Sequence, residues 1–406
     1  MCGGEDTDAS GSVTEDRNNT CEIFDPVANT WTMFDSPTLP NSTQVWGMIG
    51  DAPCTLLPDG RLLLGSLADA NVAKLDPATL TWTAMRPRPG VGDSSEDSWA
   101  LMPDNTVVTP SCRAHKTTWV YQLANDSWIR DNPLPTDIIG AGDEIGPGLL
   151  LYDGRAVFLG GNEHSAIYDP AAGPNRWSNG PDLPLSVNAE TLGILDGPGA
   201  LLVNGNLLFG AGVAQKDDFG PFSRPAWFFE FDGGSFFATN GPPNSNCRTM
   251  DTRLLLLPDG DVLFCRQNAS DFYAYRSPAV PKDSFRPVIQ GCPTAIQPGT
   301  TIQISGTQFN GLSQAVAYGD DSQTATNYPL VKLVNDKREV RFCRTHDHTT
   351  VDASGNPVIS MGVATGSAVI TTNADIPAGL QAGSWQLVVI ANGIPSMPFD
   401  VTIGSS

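Results

Sequence analysis

One phrase of about nine residues recurs five times in this chain and constrains the fold more than any other feature. Each copy has an apolar run, a turn and a second apolar run, as at residues 56–64 and 256–264. The first turn residues lie 45, 49, 51 and 55 residues apart, and they are Asp59, Asp104, Asp153, Asn204 and Asp259. Apolar runs around Asp-Gly or Asn-Gly predict a β-hairpin whose two-residue turn has positive φ angles.

A second phrase follows each hairpin and places an aromatic residue on a later strand. Asp-Pro precedes Trp31, Trp82 and Trp177, while Trp128 and Phe236 occupy the same place in the other units. Gly-Gly pairs at 3–4 and 160–161 end second strands. A four-stranded unit with these features is similar to a kelch repeat, which forms one propeller blade.

The sequence therefore predicts an all-β fold that begins with a kelch-type β-propeller. Six blades are recognisable; the first lacks its first strand and the last shows no clear fourth strand. We expect a fragment of a longer, seven-bladed chain, with an unusually closed six-bladed ring as the alternative. Prolines 278, 281 and 287 then mark a linker, and alternating short strands predict an immunoglobulin-like β-sandwich. The expected domains are 1–281 and 285–406.

An acidic residue stands at nearly the same distance before each hairpin turn. The spacing is eight or nine residues for the set Asp51, Glu96, Glu144, Asp196 and Asp251, and Asp97 is the alternative to Glu96. Equal spacing predicts that these acids lie at equal heights on successive inner strands. Because inner strands surround the central channel of a propeller, the acids should form a ring of carboxylates at one of its mouths. Such a ring recruits a cation such as Ca²⁺, Mg²⁺ or Mn²⁺, supplies a general acid and base, or only accepts backbone hydrogen bonds.

The blades and the C-terminal segment 384–396 together resemble the galactose oxidase superfamily, whose second domain is of the immunoglobulin-like early-set (E-set) type. Phrases at 50–54, 143–147, 326–331 and 344–348 are similar to those of its secreted bacterial and fungal kelch proteins without settled activity. The superfamily's copper-radical oxidases bind copper through two tyrosines and two histidines. None of the seven tyrosines here begins an inner strand, so copper-radical chemistry is not expected.

The same resemblance implies that a hairpin of the C-terminal domain enters the propeller channel. His346 matches an oxidase ligand position, and His348 alternates with it ahead of a hairpin at 349–360. If that hairpin enters the channel, His346 meets the acid ring, and histidines with carboxylates bind a transition metal. His-x-His on polar surface is the alternative. His115 and His164 are expected to be structural.

The net charge excludes two classes of partner. The chain has 23 Lys and Arg against 44 Asp and Glu, a formal charge of −21, which repels nucleic-acid phosphates and anionic lipid. No apolar run approaches the ~18 residues of a membrane helix. We expect a monomer without nucleic acid or a membrane span.

The expected location is extracellular or periplasmic, although no secretion signal is present in this chain. None of the eight cysteines forms a C-x-x-C motif. Cys2 with Cys21, and Cys292 with Cys343, are candidate pairs, with buried thiols as the alternative.

Together these features predict an extracellular protein that binds a glycan or other polar ligand at the channel mouth, with a divalent cation, calcium or copper. The alternative is an enzyme: a metal-dependent carbohydrate oxidase or a carboxylate-based carbohydrate-active enzyme.

Overall fold

The structure is a computed structural model of the chain. It describes residues 5–7, 13–17, 19–47, 49–50, 52–90, 92–186, 188–214, 224–267, 269–318, 322–364 and 367–405. These ranges are all-β, as predicted, with only two single-turn 3-10 helices, Ala141–Asp143 and Asp283–Phe285. No helix in the described part of the chain is long or apolar enough to span a membrane.

A propeller-like ring of small antiparallel sheets forms the first part of the molecule. A separate short pair, β1 (Glu5–Thr7) and β2 (Val13–Arg17), precedes it. Sheet one has two strands, β3 (Cys21–Asp25) and β4 (Thr30–Phe34). Sheet two contains β5 (Cys54–Leu56), β6 (Leu62–Gly65), β7 (Val72–Asp76) and β8 (Thr81–Met85). Sheet three contains β9 (Ala100–Leu101), β10 (Thr106–Pro110), β11 (Thr118–Gln122) and β12 (Ser127–Arg130).

The remaining sheets continue the ring in chain order. Sheet four contains β13 (Ile145–Leu150), β14 (Ala156–Gly160), β15 (Ser165–Tyr168) and β16 (Trp177–Asn179). Sheet five contains β17 (Leu192–Gly193), β18 (Pro198–Leu201), β19 (Leu207–Val213), β20 (Trp227–Phe231) and β21 (Phe236–Thr239). Sheet six contains β22 (Thr252–Leu256), β23 (Val262–Arg266) and β24 (Tyr273–Tyr275). All six predicted units appear, but only sheets two to six have the three or more strands of a blade.

The innermost strand of each blade, which is β18 in sheet five, lies on the axis. β9 contacts β13, β13 contacts β18, and β18 contacts β22. Apolar side chains of neighbouring sheets fill the spaces between them, with Leu149, Val157 and Phe209 almost wholly buried. Residues that directly precede the first strands therefore lie at one mouth, here called the acid mouth, and the hairpin turns lie at the opposite mouth.

Each hairpin turn is a three-residue loop, so the prediction of two-residue turns was wrong. In sheet two the Gly60 N–H donates to Leu57 O (3.0 Å), and the Leu57 N–H donates to Arg61 O (2.7 Å). Only Gly60 has a positive φ, 82°, while the Asp59 carboxylate accepts from the Arg61 N–H at 3.2 Å. This is a type I turn followed by a left-handed residue. The recurring Asp or Asn is needed as an acceptor and not for its φ.

The C-terminal part is a separate domain built on one curled sheet of ten strands. Its first members are β25 (Val288–Gly291), β26 (Ala295–Ile296) and β27 (Thr301–Thr307). After an excursion described below come β30 (Leu330–Asn335), β31 (Val340–Val351), β32 (Pro357–Ile359), β33 (Val369–Asp375), β34 (Gly383–Ala391), β35 (Ile394–Pro395) and β36 (Phe399–Ile403). The sheet encloses its own core around Trp385, Leu387 and Val389. Cys292 and Cys343 are free thiols, and Cys2 lies outside the described residues.

A hairpin of the C-terminal domain does enter the channel, but it is not the predicted one. β28 (Val316–Tyr318) and β29 (Ser322–Gln323) form it, and β28 pairs antiparallel with β18. The hairpin also contacts β5, β13 and β22. The hairpin at 349–360 instead joins β31 to β32 on the curled sheet, where the Met361 N–H donates to Pro58 O at the turn of sheet two (2.8 Å).

Side-chain amides hold the inserted segment. Gln314, 4% exposed, donates to Leu56 O (2.7 Å) and accepts from the Thr55 hydroxyl (3.0 Å). The Asn392 amide donates to Ser313 O (2.8 Å) and accepts from the Leu312 N–H (2.9 Å). Buried backbone groups thus find partners that the strands do not supply.

We expect Asn392→Ala to lower the free energy of unfolding by about 3 kcal/mol, because two buried backbone groups lose partners and alanine disfavours the φ of 50° at this position. Urea denaturation measures the change. Asn356→Ala, an exposed turn amide, should cost less than about 0.5 kcal/mol. Equal costs for the two variants would contradict this role.

Candidate acidic site at the channel mouth

The four described acids of the predicted set stand one to four residues before the inner strands, at the acid mouth. Glu96 precedes β9, Glu144 adjoins β13, Asp196 precedes β18 and Asp251 adjoins β22. Asp51 lies outside the described residues. The four described acids thus lie at corresponding points of successive sheets, as their spacing predicts. Their side chains differ in what they contact.

Three of the acids come together. One carboxylate oxygen from each of Glu96, Glu144 and Asp196 lies within 4.8 Å of the others. Glu96 is 8% exposed, and the other two are half-buried. Glu96 and Asp196 hold left-handed backbone, with φ angles of 63° and 45°. Such angles are uncommon outside glycine, so the loops, not local preference, aim these side chains.

Glu96 is fixed by its neighbours in sheet three. The Ser95 hydroxyl donates to its carboxylate (3.2 Å), and the Cys112 thiol donates to its backbone oxygen (2.8 Å). The sequence left Glu96 and Asp97 as alternatives, and the structure separates their roles. Asp97 is fully buried, pairs with the guanidinium of Arg88 and accepts from the Cys112 N–H (2.8 Å).

Burial is the largest influence on the pKa values of Asp97 and Cys112, which lie beside Glu96. Burial raises the pKa of Asp97 to about 6, although the Arg88 guanidinium acts to lower it. Burial, together with the carboxylates of Asp97, Glu96 and Glu144, also raises the pKa of the Cys112 thiol. A thiol held in its neutral form is not a nucleophile.

A charged rim adjoins the three acids, and the sequence analysis missed it. Arg113 donates to Asp93 (3.0 Å) and Asp143 (2.7 Å), and His115 contacts Asp143 (3.2 Å) and Asp137 (2.7 Å). Burial lowers the pKa of His115, but the hydrogen bonds to Asp143 and Asp137 outweigh it and the net pKa lies above its ordinary value. His115 was expected to be structural. The signal available in the sequence was Asp143, directly before Glu144.

Asp251 lies close by but is already paired. Arg248 donates to it from two nitrogens (2.5 and 3.0 Å). Burial raises the pKa of Asp251, but the hydrogen bond with Arg248 outweighs it, and the net pKa is lowered. The Thr249 hydroxyl donates to Leu195 O (3.0 Å), so this loop touches the one that carries Asp196. Asp251 is outside the three-carboxylate group.

The predicted metal histidines lie on β31 of the curled sheet and are not among the three grouped acids. His346 contacts Asp347 (2.7 Å) and Asp375 (3.1 Å), and His348 contacts the Thr372 hydroxyl (2.9 Å) and stacks on Tyr328. Within the described ranges, the three acids are the only group of three His, Cys, Asp or Glu side chains close enough to share a metal ion. The expected meeting of His346 with the acid ring was wrong, because another hairpin fills the channel.

The described tyrosine side chains are engaged elsewhere. Tyr121 donates to Asp126 (2.6 Å), Tyr152 packs on Phe285, and Tyr168 packs on Trp177. Tyr273 and Tyr275 lie on β24, and Tyr328 stacks on His348.

No protein-family model matches the sequence, and no curated protein matches it. Solved structures match in fold at 10% identity. A fungal alcohol oxidase of the AA5 family, in complex with copper, has a TM-score of 0.44, with 95% of this chain and 90% of that chain covered. The extracellular domain of a hybrid two-component system from B. thetaiotaomicron has a TM-score of 0.33, with 92% and 52% covered. An ancestral GH74 enzyme has a TM-score of 0.40, with 90% and 49% covered. Likenesses this distant carry no argument about function.

We expect Asp97→Asn to lower the free energy of unfolding by about 3 kcal/mol, because it leaves the buried Arg88 guanidinium without its counter-charge. Thermal and urea denaturation measure this. The double change Arg88→Met with Asp97→Leu should cost less than the single one. Asp59→Asn, at an exposed pair, should change stability by less than about 0.5 kcal/mol. A double variant less stable than Asp97→Asn would contradict the argument.

The His346 cluster predicts a pH dependence. Burial lowers the pKa of His346, but hydrogen bonds to Asp347 and Asp375 raise it on balance, and the pKa values of both carboxyls are lowered. At pH ~6, where His346 is protonated and both carboxyls are ionised, the cluster stabilises the folded state. This stabilisation is lost as pH rises through the raised His346 pKa, and again as pH falls through the lowered Asp values. His346→Gln should therefore cost up to about 1 kcal/mol near pH 6 and less at pH 9. An NMR titration that places His346 at or below ~6.5 would contradict this.

Proposed function

We propose that this chain binds a divalent cation through Glu96, Glu144 and Asp196, and that the cation site recognises a glycan or similar polar ligand at the acid mouth. The proposal is carried by one observation, the approach of three carboxylate oxygens to within 4.8 Å of one another. Three carboxylates at that distance repel unless they are protonated or share a cation. The inserted hairpin narrows the channel behind them, which favours a ligand that approaches from solvent.

The donor set favours calcium over copper. All three candidate ligands are carboxylate oxygens, which suit hard cations, whereas copper prefers imidazole and sulfur donors. Calcium takes six to eight oxygen ligands, so three carboxylates leave positions for water or for paired hydroxyls of a sugar. His346 and His348 contact Asp347 on β31 and Asp375 and Thr372 on β33 instead, which supports an oxygen-only site.

The rim supplies groups that orient a polar ligand. Arg113 and His115 are exposed donors beside Asp143, next to Glu144 in the chain. Extracellular calcium sites work with modest affinity, ~10⁻⁴ to 10⁻³ M. An extracellular or periplasmic location fits a calcium site of this affinity and is part of the proposal. A monomeric state is a separate part of the proposal. Kelch-type blades at 1–281 and an immunoglobulin-like domain at 285–406 also stay predictions.

A carboxylate-based carbohydrate-active enzyme is the second candidate. Its support is the spacing of the same oxygens, which is nearer the ~5 Å carboxyl separation of retaining glycosidases than the ~6.5–9.5 Å of inverting ones. A copper-radical oxidase is disfavoured, because the three grouped side chains are all carboxylates, whereas copper prefers imidazole and sulfur donors.

We expect calorimetric titration with CaCl₂ to show one saturable site, and Glu144→Gln with Asp196→Asn to weaken it at least about tenfold through loss of two charged ligands. Glu163→Gln, which removes the carboxylate beside His164 in the loop between β14 and β15, and His346→Ala should both leave calcium affinity unchanged.

The outcomes separate the candidates. Calcium binding that survives the Glu144 and Asp196 changes overturns the proposed site. Metal content that is lost with His346→Ala favours a histidine centre instead. Absence of calcium binding, with hydrolysis of a glycoside that Glu144→Gln abolishes, favours the enzyme.

A further inference from the structure

Arginines from three different loops lie at the acid mouth, where sheet five meets sheet six. Arg224 stands three residues before β20, Arg248 lies in the loop between β21 and β22, and Arg266 is the last residue of β23. Neighbouring strands of each sheet are antiparallel, so β20 and β22 begin at this mouth and β23 ends there. The strand directions therefore bring all three arginines to the mouth that carries the grouped acids.

Backbone hydrogen bonds hold these loops against one another. The N–H two residues after Arg224 donates to Ser245 O in the loop between β21 and β22 (3.1 Å). The N–H directly after Arg266 donates to Asp251 O in the same loop (2.7 Å). The three arginines therefore belong to one packed region, which we call the arginine cluster.

The arginine cluster acts on one carboxylate and one thiol. Burial raises the pKa of Asp251, while Arg248 and then Arg224 act to lower it. Burial also raises the pKa of the neighbouring Cys247 thiol, although Arg266 and Arg224 act to lower that pKa. Three guanidinium charges thus surround Asp251, within a chain whose formal charge is −21. A local excess of positive charge favours an anion.

Arg266 has a donor that the described residues leave unused. Its Nε–H is buried and finds no hydrogen-bond acceptor among them. The side chain as a whole is half-buried and Arg224 is exposed, so a ligand can reach the cluster from the acid mouth. A buried N–H gains most from an ionised acceptor, and the planar guanidinium fork matches the two oxygens of a carboxylate. The cluster therefore suits an anion of this shape.

The arginine cluster adjoins the three grouped acids. The hydroxyl of Thr249, next to Arg248, donates to Leu195 O (3.0 Å), and Leu195 directly precedes Asp196. The proposed cation site, with its oxygen ligands, and the guanidinium groups thus lie side by side on the same mouth. A single ligand that bears both hydroxyl groups and a carboxylate has a partner for each.

We propose that Arg224 and Arg266 bind the carboxylate of a uronic acid, so that the glycan recognised at the acid mouth carries an isolated uronate among neutral sugars. The choice of a glycan rests on the proposed function, whereas the arginine cluster needs no calcium. The uronate carboxylate accepts hydrogen bonds from Arg224 and Arg266, while Arg248 stays on Asp251. A polyuronate is a poor ligand, because the formal charge of −21 repels a polyanion.

The test uses the full chain in EDTA, with glucuronate and galacturonate as probes and glucose and galactose as their neutral counterparts. Calorimetry should show saturable binding of at least one uronate in the millimolar range. Its neutral counterpart should bind at least about tenfold more weakly, because it lacks the charge-assisted hydrogen bonds. In NMR titrations that observe arginine side chains, the same uronate should shift the Nε–H resonance of Arg266. Arg266→Gln, which also assigns that resonance, should abolish the preference for the uronate.

Arg276→Gln is the matched control, because it removes the same charge from sheet six at the opposite mouth, where Arg276 contacts Asp261 (2.8 Å). It should leave uronate binding unchanged. Arg224→Gln, at an exposed position, should weaken uronate binding at least about threefold. This variant keeps the proposal testable if Arg266→Gln does not fold.

Equal binding of uronates and neutral sugars, or an equal loss in Arg266→Gln and Arg276→Gln, would overturn the proposal. Competition by inorganic sulfate as strong as that by glucuronate would show a general anion site and would contradict the uronate assignment.

Calcium titration of the same samples separates this inference from the proposed function. Calcium binding without a preference for uronates removes the arginine site alone. Uronate binding in EDTA, without any calcium binding, removes the cation site and supports the arginine site.

Discussion

The architecture depends on how β18 is hydrogen-bonded on both of its edges. β18 lies on the axis, where an unpaired backbone N–H or C=O would cost about 1–3 kcal/mol. β19 takes one edge and β28 the other, with Pro198 opposite Tyr318 and Ala200 opposite Val316. β28 belongs to the C-terminal domain, so that domain completes the interior of the propeller. Near the hairpin, the Asn392 and Gln314 side-chain amides donate hydrogen bonds to backbone carbonyls that strand pairing leaves without a partner.

The candidate site lies beside the pairing of β28 with β18. β28 runs toward the acid mouth and pairs with Pro198, two residues after Asp196. Glu96 and Asp196 have positive φ angles, which persist only where surrounding contacts hold them. On the Glu96 side, the buried Arg88–Asp97 pair and the Cys112 thiol supply those contacts. The hairpin that fills the channel and the loops that position the carboxylates therefore pack against one another.

Much of the fold could be predicted from the sequence, and part of the site could. The all-β class, the order of the sheets and, among the described residues, the missing strands of sheets one and six followed from the period of the repeat. The positions of Glu96, Glu144 and Asp196 before the inner strands followed from their distance to the turns. The turn geometry was mispredicted, because an Asp-Gly pair fits both a two-residue turn and a type I turn with a left-handed glycine.

What the sequence alone determined is local: the hairpins, the heights of the acids along their strands and the aromatic on each fourth strand. These depend on spacing within about fifty residues, which is the length of one unit. The tertiary structure decided which groups meet. In the folded chain β28 and β29 occupy the channel, while His346 and His348 lie on the curled sheet. Asp251 pairs with Arg248, and three acids from sheets three, four and five lie close together. Such encounters depend on packing between units and between domains, which no spacing along the chain encodes.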